Sequence, residues 1–368
     1  MPTVMLTATC QNSCLWCFAR SKMVHYRAQG MDELSWQDFL TVVEFYERSG
    51  HRQMNLLGGE PTTHSRIIDV LRHLSSRRFS TVVVTNGIIP SPLVDTLVQE
   101  RFPNVQYVVN STSYFDHEPE KRHTIDYFLR SMPHAISLSY TLTQRDLLPK
   151  NLHPILDRLF LIMRSRLRPH LQFQIAVPSH ENSDFVPFDR YGAVVELLHA
   201  WTHVLQKNSV SVGLDCHCIP ACHIPPDTQL PFPLRSVCTD FMVDIGPNLE
   251  VWPCFPLSTE TLKLDQFDTL AELRAFFSKQ DSIEPLLHED GCTACQQRLS
   301  KACDAGCRGF QSLRRARMSQ TNGGRIHQQS DRGPVWDPLY CSRGSGEEGN
   351  LAARSQQEAE RAGSQDFN

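Results

Sequence analysis

Three cysteines near the amino terminus have the type and spacing that could support metal chemistry. Cys10, Cys14 and Cys17 are separated by three and two residues and follow a short apolar run, residues 2–9. Thiolates bind zinc and iron–sulfur clusters well. Because an ordinary four-iron cluster takes four cysteine ligands, three thiolates would leave one iron open to another ligand. A tetrahedral zinc site completed by a distant residue is the alternative interpretation.

A second, larger group of cysteines lies towards the carboxyl terminus. A C-x2-C pair presents two thiolates from one tight turn, so this segment is rich in potential metal ligands, and zinc ribbons are one way to use them. The group comprises Cys216, Cys218, Cys222, Cys238, Cys254, Cys292, Cys295, Cys303, Cys307 and Cys341.

The overall composition supports metal binding over disulfides or nucleic acid. The 368 residues include 13 cysteines, an odd number, and carry a formal charge of −4. A protein that neutralises phosphate backbones usually has a basic excess, so we expect no nucleic-acid partner. No apolar stretch reaches the roughly 20 residues of a membrane span, and the amino terminus lacks a signal peptide. We therefore expect a cytoplasmic protein whose thiols stay reduced.

Alternating strand and helix patterns fill the region between the two cysteine groups. Six short runs rich in β-branched or apolar residues predict strands, and a seventh at 209–214 leads into Cys216. Apolar residues spaced by three and four predict helices between them, the first capped by Ser35 and Asp38 and stopped at Gly50. Such alternation predicts an α/β fold with a parallel sheet, either open and doubly wound or a full or partial barrel. The six strands are predicted at 2–9, 53–57, 80–85, 104–110, 135–142 and 170–177, and the helices at 36–48, 66–77, 92–100 and 152–165.

The composition changes after residue 215, which indicates a second domain. Residues 216–341 are rich in cysteine, proline and glycine and include a predicted hairpin at 241–252, with Gly246 in its turn. We expect a barrel-type domain at 1–215 and a small metal-organised domain at 216–341. The remaining residues, 342–368, are predicted to form a disordered tail.

Polar residues follow several predicted strands, at the sheet edge where parallel α/β folds bind ligands. The second strand runs into Gly58, Gly59 and Glu60, the third is followed by Asn86, and the fourth by Ser111. Glycines permit close approach of the backbone to a ligand, and a carboxylate beside them can bind a cation.

The C-x3-C-x2-C motif, with Trp16 before its last cysteine, resembles the signature of the radical S-adenosylmethionine (SAM) enzymes. The resemblance implies a partial (β/α)6 TIM-like barrel in which Cys10, Cys14 and Cys17 hold a [4Fe–4S] cluster whose open iron chelates S-adenosylmethionine. One electron would then cleave the cofactor to a 5′-deoxyadenosyl radical that abstracts a hydrogen atom from the substrate. By the same resemblance, cofactor binding is predicted for Trp16, Gly58, Gly59, Glu60, Asn86 and Ser111.

The carboxyl-terminal cysteines resemble the SPASM extension of that family, which carries two auxiliary [4Fe–4S] clusters. The resemblance implies that the first cluster has a ligand upstream of Cys238, for which Cys222 is favoured as the nearest, while Cys216 and Cys218 remain open. In the sulfatase-maturing branch an aspartate follows the cysteine equivalent to Cys254, whereas this chain has Phe255 there. The implied sets are Cys222, Cys238, Cys254 and Cys307 for the first cluster, and Cys292, Cys295, Cys303 and Cys341 for the second.

We expect from this resemblance an enzyme that modifies a side chain of a ribosomal precursor peptide or protein. Its partners would include a one-electron donor such as flavodoxin or ferredoxin. The first predicted strand begins at residue 2, so we expect leader binding by a separate protein or by the enzyme itself. A radical enzyme acting on a small molecule, or one maturing a protein such as a sulfatase, is the alternative within the family. A zinc-stabilised interaction module without catalytic activity is the alternative from another class.

Overall fold

The computed structural model describes residues 2–132, 136–147, 170–179, 181–215, 218–238, 242–259, 261–283, 292 and 295–310. The predicted helix at 152–165, Cys216, Cys341 and the predicted tail at 342–368 lie outside these residues.

The fold is built on one ten-stranded sheet in the order β10-β9-β8-β1-β2-β3-β4-β5-β6-β7. Strands β1 to β7 pair in parallel in chain order, which confirms the predicted α/β class and all seven predicted strands. Parallel neighbours require crossovers, and described helices lie between the strands in every connection from β1 to β7 except that from β5 to β6, most of which lies outside the described residues. The strands are Thr3–Thr7, Gln53–Gly58, Ser80–Thr85, Val105–Asn110, Ile136–Leu142, His170–Ile175, Ser211–Asp215, Asp244–Ile245, Glu250–Trp252 and Leu262–Lys263, numbered β1 to β10.

Eight α-helices accompany the strands in the part of the chain that the structure describes. The second begins as predicted, with the Ser35 hydroxyl accepting a hydrogen bond from the Asp38 amide at 3.1 Å. It ends before Gly50, which adopts a left-handed conformation with φ +66°. No described helix is long and apolar enough to cross a membrane. The helices are Arg20–Ala28, Trp36–Arg48, Ile67–Ser76, Ser91–Glu100, Pro119–Ser131, Tyr191–Lys207, Leu270–Ile283 and Gln296–Leu299, numbered α1 to α8.

The sheet has one apolar face and one polar face along β4 to β6. Tyr140 and Phe173 pack on Trp201 of α6, within the main hydrophobic core. Alternate residues point the other way, because side chains alternate along a strand. On that face Asn110 donates to Thr141 at 3.0 Å, and the Thr141 hydroxyl donates to the next strand. One face of β4 to β6 is therefore polar near the carboxyl ends of these strands.

The predicted hairpin forms and extends the main sheet. Strand β8 pairs with β1 in parallel, Thr3 opposite Asp244, and β9 runs back antiparallel to β8. The hairpin also packs against α1, where the Tyr26 hydroxyl donates to Glu250 at 2.9 Å. A Cβ at Gly246 would lie 2.2 Å from that hydroxyl, so only glycine allows this approach. The hairpin, which lies between Cys238 and Cys254 in the sequence, therefore contacts α1, the helix that follows the first cysteine group.

Candidate active site at the carboxyl edge of the sheet

The first cysteine group occupies the loop between β1 and α1, at the carboxyl edge of the sheet. The end of β2 holds the start of this loop: the Gly59 amide donates to Thr7 and the Glu60 amide to Thr9, both at 2.7 Å. A Cβ on Gly58 would lie 2.4 Å from the Thr7 carbonyl oxygen, and one on Gly59 would lie 2.2 Å from that of Thr9. The two glycines are needed for close packing between strand ends. Their contact with a cofactor stays a prediction.

Glu60 connects the ends of β2 and β3 from a fully buried position. One of its carboxylate oxygens accepts from the Thr62 amide at 3.1 Å and from the hydroxyls of Thr62 and Thr85 at 2.6 and 2.7 Å. The other accepts from the Asn86 amide at 2.7 Å. Burial raises the pKa of the carboxyl, and these hydrogen bonds oppose the rise. Glu60 thus fixes the position of Asn86 beside the cysteine loop.

Cys10, Cys14 and Cys17 all line one cavity of about 300 Å³, together with Arg20 and Arg27 of α1. Among the described residues, no three His, Cys, Asp or Glu side chains converge closely enough to share a single metal ion. In a four-iron cluster the cysteine ligands bind different iron atoms, so thiols spaced around a cavity are the arrangement that such a cluster uses. The donor set and the cavity therefore fit a cluster with three protein ligands.

The three thiols resist ionisation when no metal is bound. Burial, followed by repulsion from the thiolates of Cys17 and Cys10, raises the pKa of Cys14 to about 11. The pKa values of Cys10 and Cys17 are also raised, chiefly by burial. Thiolates are the metal-binding form, and a bound cationic centre would stabilise them. Metal binding at this site is therefore coupled to proton release.

The loop after β6 contacts the cysteine loop from the opposite side. The Asn182 side chain donates to the Trp16 carbonyl at 3.3 Å and to the Val177 carbonyl at 2.8 Å. The Ser183 amide donates to the Leu15 carbonyl at 3.0 Å. Sequence reasoning missed Asn182, although its place in the loop after a predicted strand could have identified it. These bonds fix the backbone between Cys14 and Cys17.

The remaining residues predicted to bind cofactor all lie near this edge. Asn86 donates to Gln11 at 3.1 Å and lies 3.9 Å from the Cys10 sulfur. Trp16 is half-buried within the cysteine loop. The Ser111 hydroxyl donates to the Ser139 carbonyl at 2.8 Å, which supports the junction of β4 and β5. The structure therefore brings these residues to one end of the sheet, and their contact with a cofactor stays a prediction.

Two of the carboxyl-terminal cysteines lie in short turns of the kind that present thiolates. The Cys295 amide donates to the Cys292 carbonyl at 3.2 Å, which closes the predicted C-x2-C turn. The Cys303 sulfur accepts from the amides of Ala221 and Ala305, at 3.4 and 3.3 Å. Amide donors of this type stabilise a thiolate. Cys341, the fourth ligand implied by the resemblance, lies outside the described residues.

Three other cysteines surround a buried guanidinium. Burial lowers the pKa of Arg308, and electrostatic attraction to Cys238, Cys218 and Cys254 opposes this. Cys307 precedes Arg308, and burial raises the pKa of its thiol to about 12, with a contribution from Cys238.

Cys222 is exposed and is not one of the cysteines that act on this guanidinium. Cys218 is thus the upstream cysteine that acts on Arg308 together with Cys238 and Cys254, and the identity of the upstream ligand stays a prediction.

Phe255 joins the hairpin to the first cysteine loop. Its ring lies 4.9 Å from that of Phe18 and 5.5 Å from that of Trp252, centroid to centroid. Phe255 follows Cys254, and Phe18 follows Cys17. An apolar contact therefore occupies the position where the resemblance places an aspartate in the sulfatase-maturing branch.

A family model described as the Radical SAM superfamily matches residues 4–157. No curated protein sequence matches the chain. Among solved structures, Streptococcus suis SuiB bound to S-adenosylmethionine aligns with a TM-score of 0.61 at 14% identity, covering 84% of this chain and 72% of SuiB. Native anSMEcpe with bound AdoMet aligns with a TM-score of 0.57 at 13% identity, covering 83% of this chain and 89% of that protein.

These comparisons agree with the three-cysteine loop at the carboxyl edge of a parallel sheet. The family match spans the described loop, its cavity, and the Glu60 junction that supports it. The likeness to SuiB and anSMEcpe shows that the fold extends beyond the matched region, including the strands that follow it. Residues 4–157 therefore match the radical SAM superfamily model, and the chain shares its fold with SuiB and anSMEcpe.

Proposed function

We propose that this protein is a radical SAM enzyme and that it modifies a side chain of a ribosomally made peptide or of a protein. The observation that carries the proposal is the cavity lined by Cys10, Cys14 and Cys17, with Asn86 lying 3.9 Å from the Cys10 sulfur. SuiB has been solved with the precursor peptide SuiA, and anSMEcpe with AdoMet and a peptide, each over more than four-fifths of this chain. Both relatives support a peptide substrate.

The residues of the chain have separate tasks in this proposal. Cys10, Cys14 and Cys17 hold the primary [4Fe–4S] cluster, which together with S-adenosylmethionine supplies the radical that abstracts a hydrogen atom from the substrate. Glu60 and Asn182 fix the backbone around this site. Gly58, Gly59, Asn86, Ser111 and Trp16 are proposed to line the cofactor. A soluble one-electron donor such as flavodoxin or ferredoxin, and a separate leader-binding protein, complete the proposed partners.

Two auxiliary four-iron clusters are proposed in the segment predicted as residues 216–341. For the first cluster we now favour Cys218 over Cys222, because Cys218 acts electrostatically on Arg308 together with Cys238 and Cys254. Cys307 completes this set. The second set is unchanged: Cys292, Cys295, Cys303 and Cys341. These clusters are proposed to relay electrons or to bind substrate beside the barrel.

Maturation of sulfatases is disfavoured by one specific contact. A proton acceptor after Cys254 would have to replace Phe255, whose ring is packed between Phe18 and Trp252. Burying an ionised carboxylate in such an apolar contact is unfavourable.

The proposal is tested with protein purified without oxygen and incubated with dithionite, S-adenosylmethionine and synthetic peptides. The peptides correspond to the short open reading frames next to the gene. We expect 5′-deoxyadenosine and a mass change in one peptide with the wild-type protein, and neither with Cys14→Ala. Cys222→Ala is the matched control, because it removes an exposed cysteine and is expected to retain both products. Formation of 5′-deoxyadenosine without any peptide change would contradict the proposed substrate class.

A further inference from the structure

Arg308 is a charged side chain in an unusually enclosed position. Only 8% of its surface is exposed, and it directly follows the buried Cys307. Arginine cannot lose its proton in a protein, so its positive charge remains inside the structure. Burying such a charge is unfavourable unless negative groups surround it. The surroundings of Arg308 therefore indicate what the charge stabilises.

Asp304 orients the Arg308 guanidinium towards the cysteines. A terminal nitrogen of Arg308 lies 3.5 Å from the Asp304 carboxylate, four residues earlier in the chain. The same carboxylate oxygen accepts the Cys238 amide at 2.8 Å. The Asp304 amide in turn donates to the Ser236 carbonyl at 2.7 Å. Two successive contacts therefore connect the guanidinium to the backbone of Cys238.

Cysteines near Arg308 would add negative charge to that of Asp304 once they are ionised as cluster ligands. Cys238, Cys218 and Cys254 each attract the guanidinium, and all three belong to the proposed first auxiliary set. Next to Arg308, the Cys307 sulfur accepts the Gly309 amide at 3.4 Å. A Cβ at Gly309 would lie 2.5 Å from the Pro178 carbonyl oxygen, so this turn is tightly packed against the loop after β6. Arg308 therefore has little freedom to turn away from the thiols.

We propose that Arg308 is a positioning residue that raises the reduction potential of the first auxiliary cluster, by holding a fixed, buried positive charge next to its ligands. The inference rests on the proposed function, because it requires a cluster at this site. Net charge and hydrogen bonds to sulfur are principal determinants of a cluster's potential. Reduction adds one electron and no bond forms or breaks, so the reduced cluster is more negative and gains more from a nearby cation.

Asp304 should lower the reduction potential of the first auxiliary cluster, opposite to Arg308. Its carboxylate partly neutralises Arg308, so Asp304→Asn should raise the potential of the cluster. An asparagine oxygen can still accept the Cys238 amide, which preserves that contact. If the salt bridge had only a structural role, Arg308→Gln and Asp304→Asn would not shift the reduction potential of the cluster in opposite directions. The sign of the two shifts thus separates an electrostatic role from a structural one.

The test is a potentiometric titration of the iron-loaded full chain, followed by electron paramagnetic resonance. A Cys14→Ala background removes the primary cluster and should leave about eight irons if two auxiliary clusters are present. Mediator dyes reduced with dithionite donate the electrons. Arg308→Gln and Asp304→Asn are compared with Arg308→Lys and with Lys301→Gln, which removes an exposed positive charge from the same segment.

At a fixed applied potential, Arg308→Gln should lower the ratio of reduced to oxidised cluster about tenfold, equivalent to about 59 mV for a one-electron couple. Arg308→Lys should lower it less, Asp304→Asn should raise it, and Lys301→Gln should change it less than twofold. Unchanged ratios in iron-replete Arg308→Gln and Asp304→Asn would overturn this inference and leave the proposed clusters intact. Absence of iron in the Cys14→Ala background would instead overturn the auxiliary clusters. If Arg308→Gln does not fold, a reduced fraction in Arg308→Lys equal to wild type overturns the inference.

Discussion

Replacing Glu60 by glutamine tests the junction that supports the proposed active site. The carboxylate accepts three hydrogen bonds at one oxygen and one at the other. Glutamine has a single side-chain oxygen. If that oxygen keeps the bonds from Thr62 and Thr85, the new NH₂ group faces the Asn86 amide, which is also a donor. Glu60→Gln therefore loses at least the bond to Asn86.

The expected loss of stability follows from that single contact. A hydrogen bond to a charged group contributes about 1.5–3 kcal/mol, and relief of the buried charge offsets part of the loss. We expect the free energy of unfolding to fall by about 1–3 kcal/mol. Because Asn86 contacts Gln11 and the Cys10 sulfur, its displacement should also weaken the binding of S-adenosylmethionine.

Urea denaturation followed by circular dichroism gives the stability, and isothermal titration calorimetry under anaerobic conditions gives the affinity. Glu33→Gln is the matched control, since Glu33 also accepts an amide and a hydroxyl, both from Ser65, but on the exposed surface. We expect the control to change stability by less than about 1 kcal/mol and to leave the affinity unchanged. A Glu60→Gln protein with wild-type stability and affinity would refute this account of the junction.

Three further predictions concern the carboxyl-terminal segment and the hairpin. Cys218→Ala should lose about four irons from the anaerobically purified protein and Cys222→Ala none, as measured by iron analysis; the reverse result would restore Cys222 as the ligand. Burial raises the pKa of Asp244 to about 8, so its stabilising contribution, complete below pH of about 4, is lost as pH rises towards 8. Urea denaturation between pH 5 and 8 should therefore show the unfolding free energy of the wild type falling with pH more steeply than that of Asp244→Asn, by up to about 1.4 kcal/mol per pH unit. Equal slopes in the two proteins would contradict the raised pKa of Asp244. Gly246→Ala places a Cβ 2.2 Å from the Tyr26 hydroxyl and should lower the free energy of unfolding by about 1–3 kcal/mol. Gly30→Ala is the control, because Gly30 has open space around it and the substitution adds only the backbone strain of a φ of +69°. Equal losses of stability in the two variants would argue against the packing role of Gly246.

The parallel part of the sheet could be predicted because its information is local. Each strand from β1 to β7 is a short run of β-branched or apolar residues, and the strand ends fall within three residues of the predicted ones. The helix at Trp36–Arg48 matches its prediction at both ends, because apolar spacing and the Ser35 cap act over a few residues.

Contacts between distant segments were not predictable in the same way. The pairing of β8 with β1 joins residues about 240 positions apart, and no periodicity in either strand specifies it. The glycines at 58 and 59 were predicted to let the backbone approach a ligand, which stays a prediction, whereas the structure places the Thr7 and Thr9 carbonyls against them.

In the candidate site, the cysteine spacing was informative, whereas the supporting contacts were not. The spacing of Cys10, Cys14 and Cys17 indicates their shared cavity directly. Arg308 acts through contacts with residues far along the chain, so nothing in its immediate sequence identifies it, and Asn182 could have been found only from its place in the loop after a predicted strand. Likewise, nearness in sequence favoured Cys222 over Cys218, whereas Cys218 is the one that acts electrostatically on Arg308, and the choice between them stays a prediction.

The most direct test of the central claim is iron content combined with cofactor cleavage in wild-type protein and Cys14→Ala. Wild-type protein purified without oxygen should contain about twelve irons, and Cys14→Ala about four fewer. With dithionite and S-adenosylmethionine, wild-type protein should release 5′-deoxyadenosine and Cys14→Ala should release none. A colourless wild-type protein containing zinc, or 5′-deoxyadenosine release that survives Cys14→Ala, would contradict the assignment of the primary cluster.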